Sequence, residues 1–125
     1  MARILVVDDI EENTTLLTYE LEDDGHQVST ASNGRECLEQ VQSSTPDLIF
    51  LDISMPVMDG MDTLRHLKAN AETREIPVIM MSGTEDKGAF QKALRAGARD
   101  YVGKPLDFKI LEQKCLKVLE NGGSA

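Results

Sequence analysis

The sequence has 125 residues, 22 of them acidic and 13 basic, so its formal net charge is −9 and its pI is near 4.6. This length suits one domain, and the 41% of hydrophobic residues can form a core, which argues against a disordered acidic tail or a disulfide-dependent miniprotein. The negative balance argues against direct binding to nucleic acid or to anionic membranes, because both require a basic surface.

Five short segments predict β-strands. Residues 4–7, 48–51 and 78–81 are continuous apolar runs, which are typical of parallel strands covered on both faces. Residues 27–31 alternate polar and apolar side chains, and residues 100–102 are a short run. We therefore expect the three apolar strands at the centre of a sheet and the other two at its edges.

Amphipathic patterns between the strands predict five helices. Their expected ranges are 11–24, 34–44, 60–70, 86–96 and 107–120. Gly25 and Gly97 follow two of these helices as expected C′ residues, and Asn33 with Gly34 predicts a tight turn before the second helix. Strand and helix therefore alternate five times.

The cysteines and histidines do not indicate a metal or redox site. Cys37 and Cys115 form no CxxC pair, and each lies in a predicted amphipathic helix, where we expect a buried thiol. His26 and His66 are isolated, so we expect packed or solvated structural roles for them.

No apolar run approaches the roughly 20 residues that a membrane-spanning helix needs, and the start of the chain leads directly into a strand rather than a signal peptide. We therefore expect a cytoplasmic protein. Residues 1–120 are expected to form the domain, and residues 121–125 a flexible tail or the start of a linker.

The alternation predicts an α/β fold: a doubly wound, five-stranded parallel sheet of order 2-1-3-4-5, with helices on both faces, as in flavodoxin-like folds. In this order the winding reverses between strands one and three, and ligands bind at their carboxyl ends. Asp8 and Asp9 follow strand one, and Asp52 follows strand three. We expect these three carboxylates to meet in one crevice.

Three neighbouring carboxylates would repel one another and raise one another's pKa unless a cation shared the site. Oxygen ligands without a placed His or Cys favour Mg²⁺. Polar strand ends or helix caps would explain one Asp, but they explain three poorly.

Ser82 at the end of strand four and Lys104 after strand five reach the same edge, and both can contact phosphate oxygens. The set suits phosphoryl transfer.

With these residues, the sequence resembles the receiver domain of two-component response regulators over nearly the whole chain. The matching segments are ILVVDD at 4–9, PDLIFLD at 46–52, MPVMDG at 55–60, MMS at 80–82 and KP at 104–105. The resemblance implies a signalling protein that is not an enzyme acting on other molecules. Its chemistry would be limited to Mg²⁺-dependent self-phosphorylation from a phosphodonor and autodephosphorylation.

The resemblance also implies roles for site residues. Asp52 would accept a phosphoryl group from a sensor histidine kinase or a histidine phosphotransfer protein. The Mg²⁺ ion would be held by Asp9, Asp52 and the backbone carbonyl of Ser54, with Asp8 assisting through water. Lys104 would pair with the phosphoryl group, and the peptide bond between Lys104 and Pro105 would be cis.

Further implied roles concern switching and phosphate lifetime. Ser82 would hydrogen-bond to the phosphoryl group and, with Tyr101, form the transmission switch, although Tyr101 also fits a half-buried aromatic residue of an edge strand. Ser54 and Thr84 occupy positions that tune attack by water.

The resemblance places the output surface for a downstream effector at residues 86–117. Residues 1–82 contain 5 basic and 16 acidic side chains, whereas residues 83–125 contain 8 and 6. The basic residues expected on this surface are Lys87, Lys92, Arg95, Arg99, Lys109, Lys114 and Lys117. An acidic partner could use them, but an ordinary solvated helix surface explains them equally well.

Three other functions deserve comparison. A phosphatase of the haloacid-dehalogenase type needs a second Asp two positions after the nucleophile. In this sequence Ile10, not an Asp, stands two positions after Asp8. A flavin-binding electron carrier needs a hydroxyl-rich phosphate loop, where DDIEE at 8–12 would repel phosphate. A receiver-like binding scaffold that works without phosphorylation remains the alternative.

Overall fold

A computed structural model of the chain describes residues 2–55, 57–83 and 88–120. Five strands and five helices alternate in this part of the chain. The strands are β1 (Arg3–Val7), β2 (Gln27–Ala31), β3 (Leu48–Asp52), β4 (Val78–Ser82) and β5 (Asp100–Gly103). The helices are α1 (Glu11–Asp23), α2 (Gly34–Ser43), α3 (Gly60–Ala69), α4 (Ala89–Arg95) and α5 (Phe108–Glu120).

The strands form one parallel sheet in the order β2-β1-β3-β4-β5, which confirms the predicted topology. All residues of β3 and β4 are buried, as their continuous apolar sequences predict, whereas β2 and β5 are partly exposed edge strands. Asp52 is paired with Met81, and Ser82 with Gly103. The carboxyl ends of the strands thus share one edge of the sheet.

Two apolar layers cover the sheet. One lies under α2, α3 and α4 and contains Cys37, and the other lies under α1 and α5 and contains Cys115. Burial raises the pKa of the Cys37 thiol to about 12, and burial with nearby acids raises that of Cys115 to about 11. Both cysteines are therefore protonated core residues, as expected.

Two details differ from the predicted elements. Asn33 is the N-cap of α2, and its side chain accepts a hydrogen bond from Glu36 N, so Asn33 and Gly34 begin a helix rather than forming a separate turn. Helix α4 begins at Ala89, because Gly88 has a φ of +80° and cannot continue a right-handed helix, while residues 86 and 87 of the predicted helix lie outside the described residues. Gly25 and Gly97 follow helices with positive φ, as predicted.

The histidines have ordinary surroundings. His26 Nδ1 accepts a hydrogen bond from Ala2 N at 3.1 Å, and His66 is exposed on α3. Across the described ranges, no helix is long and apolar enough to span a membrane. Residues 121–125, predicted as a tail or linker, lie outside the described residues.

Candidate functional site

Three carboxylates meet where β1 and β3 end. Asp8 and Asp9 directly follow β1, and Asp52 is the last residue of β3. One carboxylate oxygen from each lies within 4.8 Å of the other two, which confirms that the fold brings these acids together. Asp8 and Asp52 are buried, whereas Asp9 is exposed at the mouth of the site.

Lys104 connects the two buried acids. Its Nζ atom lies 3.1 Å from Asp8 Oδ2 and 3.2 Å from Asp52 Oδ1. Its backbone N–H donates to Ser82 O at 2.8 Å, and the Lys104–Pro105 peptide bond is cis, as expected. One ammonium thus contacts the candidate phosphoacceptor and its acidic neighbour.

Asp8 has further partners that the sequence does not predict. Its Oδ1 atom accepts from Ile10 N at 2.9 Å, and its Oδ2 atom accepts from Asn13 Nδ2 at 3.1 Å as well as from Lys104. Asn13 lies in the first turn of α1. A polar residue at this position is the only sign in the sequence of its contact with Asp8. Both carboxylate oxygens of Asp8 therefore accept hydrogen bonds from other groups of the protein.

The site has an excess of negative charge. Burial chiefly, together with the charges of Asp8 and Asp9, raises the pKa of Asp52 from 3.8 to about 6, although Lys104 opposes this rise. Burial lowers the pKa of Lys104, but its hydrogen bonds and attraction to Asp8 and Asp52 outweigh that effect and leave it raised. Three carboxylates facing one ammonium form an oxygen-rich site that suits a small divalent cation.

Of the other expected site residues, Ser82 and Ser54 lie in the described part of the chain. Ser82 is buried at the end of β4, one position beyond Met81, which pairs with Asp52. Its Oγ donates to Gly83 O at 3.3 Å. Ser54 is exposed two positions after Asp52. Thr84, expected to tune the site, lies outside the described residues.

Tyr101 is half-buried on β5 and contacts two helices. Its ring stacks on that of Phe90 in α4, with centroids 4.0 Å apart. Lys114 in α5 places Nζ over the Tyr101 ring at 4.6 Å from the centroid, donates to Tyr101 O and pairs with Asp100 at 3.1 Å. Lys114 therefore joins α5 to the edge strand, whereas the sequence pattern predicts it on an open basic surface.

The remaining basic side chains of the expected output surface are exposed. They are Lys92, Arg95, Arg99, Lys109 and Lys117, and Lys87 lies outside the described residues. Leu94, Ile110 and Leu116 are large apolar side chains that are exposed in the same region. This face therefore combines basic and apolar side chains.

Residues 4–116 match the family model of the response regulator receiver domain. The chain is 43% identical over 110 residues to the response regulator PleD of Caulobacter vibrioides, covering 88% of this chain and 24% of PleD. It is 40% identical to the protein PilH of Pseudomonas aeruginosa, covering 89% of this chain and 92% of PilH. The chain thus spans about a quarter of PleD but nearly all of PilH.

Solved structures of receiver domains are also similar to this chain. The receiver domain of NtrX from Brucella abortus superposes with a TM-score of 0.88 at 34% identity, covering 94% of this chain and 98% of that one. A receiver domain of a signal transduction histidine kinase from Syntrophus aciditrophicus gives a TM-score of 0.90 at 33% identity, covering 97% of this chain and 92% of that one.

Proposed function

The chain belongs to the response regulator receiver family, and we propose that Asp52 is the residue through which it is phosphorylated. The observation that carries this proposal is the contact of Lys104 Nζ with both Asp52 and Asp8 at the end of β3. This arrangement holds one carboxylate beside a cation that can stabilise the charge of an incoming phosphoryl group. Family membership also sets aside the phosphatase and electron-carrier alternatives.

In the proposed reaction, a carboxylate oxygen of Asp52 attacks the phosphorus atom of a phosphohistidine. The new O–P bond makes an acyl phosphate, the P–N bond breaks, and the histidine nitrogen keeps the electron pair and takes a proton. The donor would be a sensor histidine kinase or a histidine phosphotransfer protein. Small phosphodonors would also serve, and water would later hydrolyse the acyl phosphate in autodephosphorylation.

The oxygen donors present fit Mg²⁺. Asp9, Asp52 and the Ser54 backbone carbonyl would hold the ion, and Asp8, whose oxygens already accept from Ile10, Asn13 and Lys104, would act through water. When bound, Mg²⁺ would neutralise charge on the carboxylates and on the transferred phosphoryl group. Ser54 and Thr84 would influence the access of water.

Phosphorylation would change the output face through Ser82 and Tyr101. The phosphoryl oxygens are new acceptors for Ser82 Oγ, and its movement would free space that the Tyr101 ring can enter. Since Tyr101 contacts α4 and α5, its movement would alter the face at 86–117 that a downstream effector would bind. Some relatives, such as PhoP of Bacillus subtilis, are named transcriptional regulatory proteins and are longer than this chain.

The test is incubation with a small phosphodonor and Mg²⁺, followed by intact-mass measurement. Wild type should gain one phosphoryl group and Asp52→Asn none. Asp23→Asn, an exposed acid at the end of α1, serves as the control and should be labelled like wild type. Labelling of folded Asp52→Asn at the wild-type level would refute the proposal.

A further inference from the structure

The loop between β3 and α3 carries Ser54, and its described residues are tied at both ends. Ile53 N donates to Met81 O at 3.0 Å, and Gly60 N donates to Ile53 O at 2.8 Å. Asp59 caps α3 by accepting from Asp62 N at 2.9 Å. The ends of the loop are therefore fixed beside Asp52.

The first residue of α2 contacts this loop near the start of α3. Gly34 N donates to Met58 O at 3.2 Å, and Gly34 is buried. A Cβ atom at Gly34 would lie 2.0 Å from Thr63 Oγ1 and 2.8 Å from Met58 O, both far shorter than van der Waals contact. Even an alanine at position 34 would therefore press on the Thr63 side chain and on the loop backbone at Met58.

Helix α3 is anchored in the core through Thr63, whereas the loop contains a strained residue. Thr63 is fully buried, and its Oγ1 donates to Asp59 O at 2.8 Å within the helix. In the loop, Val57 has a φ of +70°, a conformation that is strained for a β-branched residue. Such strain persists only where surrounding contacts impose it, so the conformation of the loop depends on contacts such as the one with Gly34.

We propose that Gly34 is a positioning residue for the metal site. Its N–H and its lack of a side chain let α2 hold Met58 close, which fixes the loop that carries Ser54 next to Asp52. This inference rests on the proposed role of the Ser54 carbonyl in binding Mg²⁺. Gly34 touches no reacting group, and its effect passes through Met58.

The test uses Gly34→Ala in the full chain, with Mg²⁺ titrated against amide NMR shifts near Asp9 and Asp52. Mg²⁺ affinity should fall about tenfold, the scale typical of residues that orient ligands from the second layer. Phosphorylation by a small donor should need correspondingly more Mg²⁺ but approach the wild-type rate at saturation. An affinity equal to that of wild type would overturn the inference.

Val118→Ala separates positioning from general loss of stability, because Val118 is buried in the other apolar layer. It should lower stability without changing Mg²⁺ affinity, and an equal loss of affinity in both variants would contradict the inference. If Gly34→Ala does not fold, Gly34→Ala/Thr63→Ala removes the shorter clash and is compared with Thr63→Ala. The double variant should still bind Mg²⁺ more weakly, since the contact with Met58 remains, and equal binding would overturn the inference.

Wild type provides the check on the premise. If wild type binds no Mg²⁺ and Asp52 is not phosphorylated, the proposed function fails, and the role of Gly34 fails with it. If wild type does both and only the Gly34 comparison shows no effect, the role of Gly34 alone is wrong.

Discussion

The rings of Phe90 and Tyr101 stack with their centroids 4.0 Å apart and their planes inclined by 18°, so α4 and the edge strand β5 are joined by an aromatic pair. Aromatic pairs of this kind contribute about 0.5–1.5 kcal/mol beyond the burial of apolar area. The pair therefore holds Tyr101 against α4.

Replacing Phe90 with Leu should release the Tyr101 ring. The variant keeps an apolar side chain but removes the stacking, so unfolding free energy should fall by about 1 kcal/mol and the Tyr101 ring signals should shift and broaden. Denaturant titration and side-chain NMR measure the two effects. Phe108→Leu on α5 is the control, and Tyr101 signals that respond equally to both variants would contradict the assignment.

Ser82→Ala should uncouple phosphorylation from the output face. Without the hydroxyl, the phosphoryl group loses a contact that favours the activated state, so Asp52 should still be labelled while the conformational response weakens. NMR spectra with and without a phosphoryl mimic would be compared for wild type and variant. Wild-type shifts around 86–117, including Tyr101, in Ser82→Ala would show that this switch is wrong.

Asp52→Asn should stabilise the metal-free protein at neutral pH. Because the pKa of Asp52 is raised from 3.8 to about 6, the folded state binds its proton more tightly than the unfolded state does. The contribution of Asp52 therefore becomes less favourable as pH rises from about 3.8 to about 6, by on the order of 1–3 kcal/mol.

Chemical denaturation at a series of pH values, with a chelator present, measures this effect. The stability gain of Asp52→Asn over wild type should be largest above pH 6 and shrink below pH 6. Addition of Mg²⁺ should reduce this gain, because the ion offsets the repulsion between carboxylates in wild type. Asp23→Asn is the matched control. No gain above pH 6 would contradict the charge balance described for the site.

Asp9→Ala should weaken Mg²⁺ binding at least about tenfold and slow phosphorylation at limiting Mg²⁺. Asp9 is the exposed member of the carboxylate cluster, so its substitution would remove a proposed Mg²⁺ ligand without opening the core. The chain contains no Trp, so amide NMR shifts are the suitable measurement. Glu12→Ala is the control for loss of a surface charge. Unchanged phosphorylation of wild type after thorough chelation would exclude a role for Mg²⁺ in the reaction.

The strand order and the acidic cluster are predictable because their signals are local. Continuous apolar runs identify central strands, and the parallel order brings residues that follow β1 and β3 to one edge. Asp8, Asp9 and Asp52 can therefore be grouped from the sequence alone. The carboxyl-end positions of Ser82 and Lys104 follow from the same rule.

The contacts that support the site are not predictable in this way. Gly34 and Met58 are distant in sequence and meet only because α2 packs beside α3, and the stacking of Phe90 on Tyr101 likewise depends on how α4 sits on the sheet. Tertiary contacts of this kind leave no period or motif in the sequence. The start of α4 at Ala89 is also not predictable from the helical pattern, because that pattern does not reveal the left-handed backbone conformation of Gly88.

The most direct test of the account locates the phosphoryl group itself. Wild type is phosphorylated by a small donor with Mg²⁺, the acyl phosphate is reduced with borohydride, and the modified residue is identified by peptide mass spectrometry. Reduction converts a phosphorylated aspartate to homoserine, and we predict homoserine at position 52 alone. Homoserine at another position, or an unmodified position 52 in protein that has gained a phosphoryl group, would contradict the account.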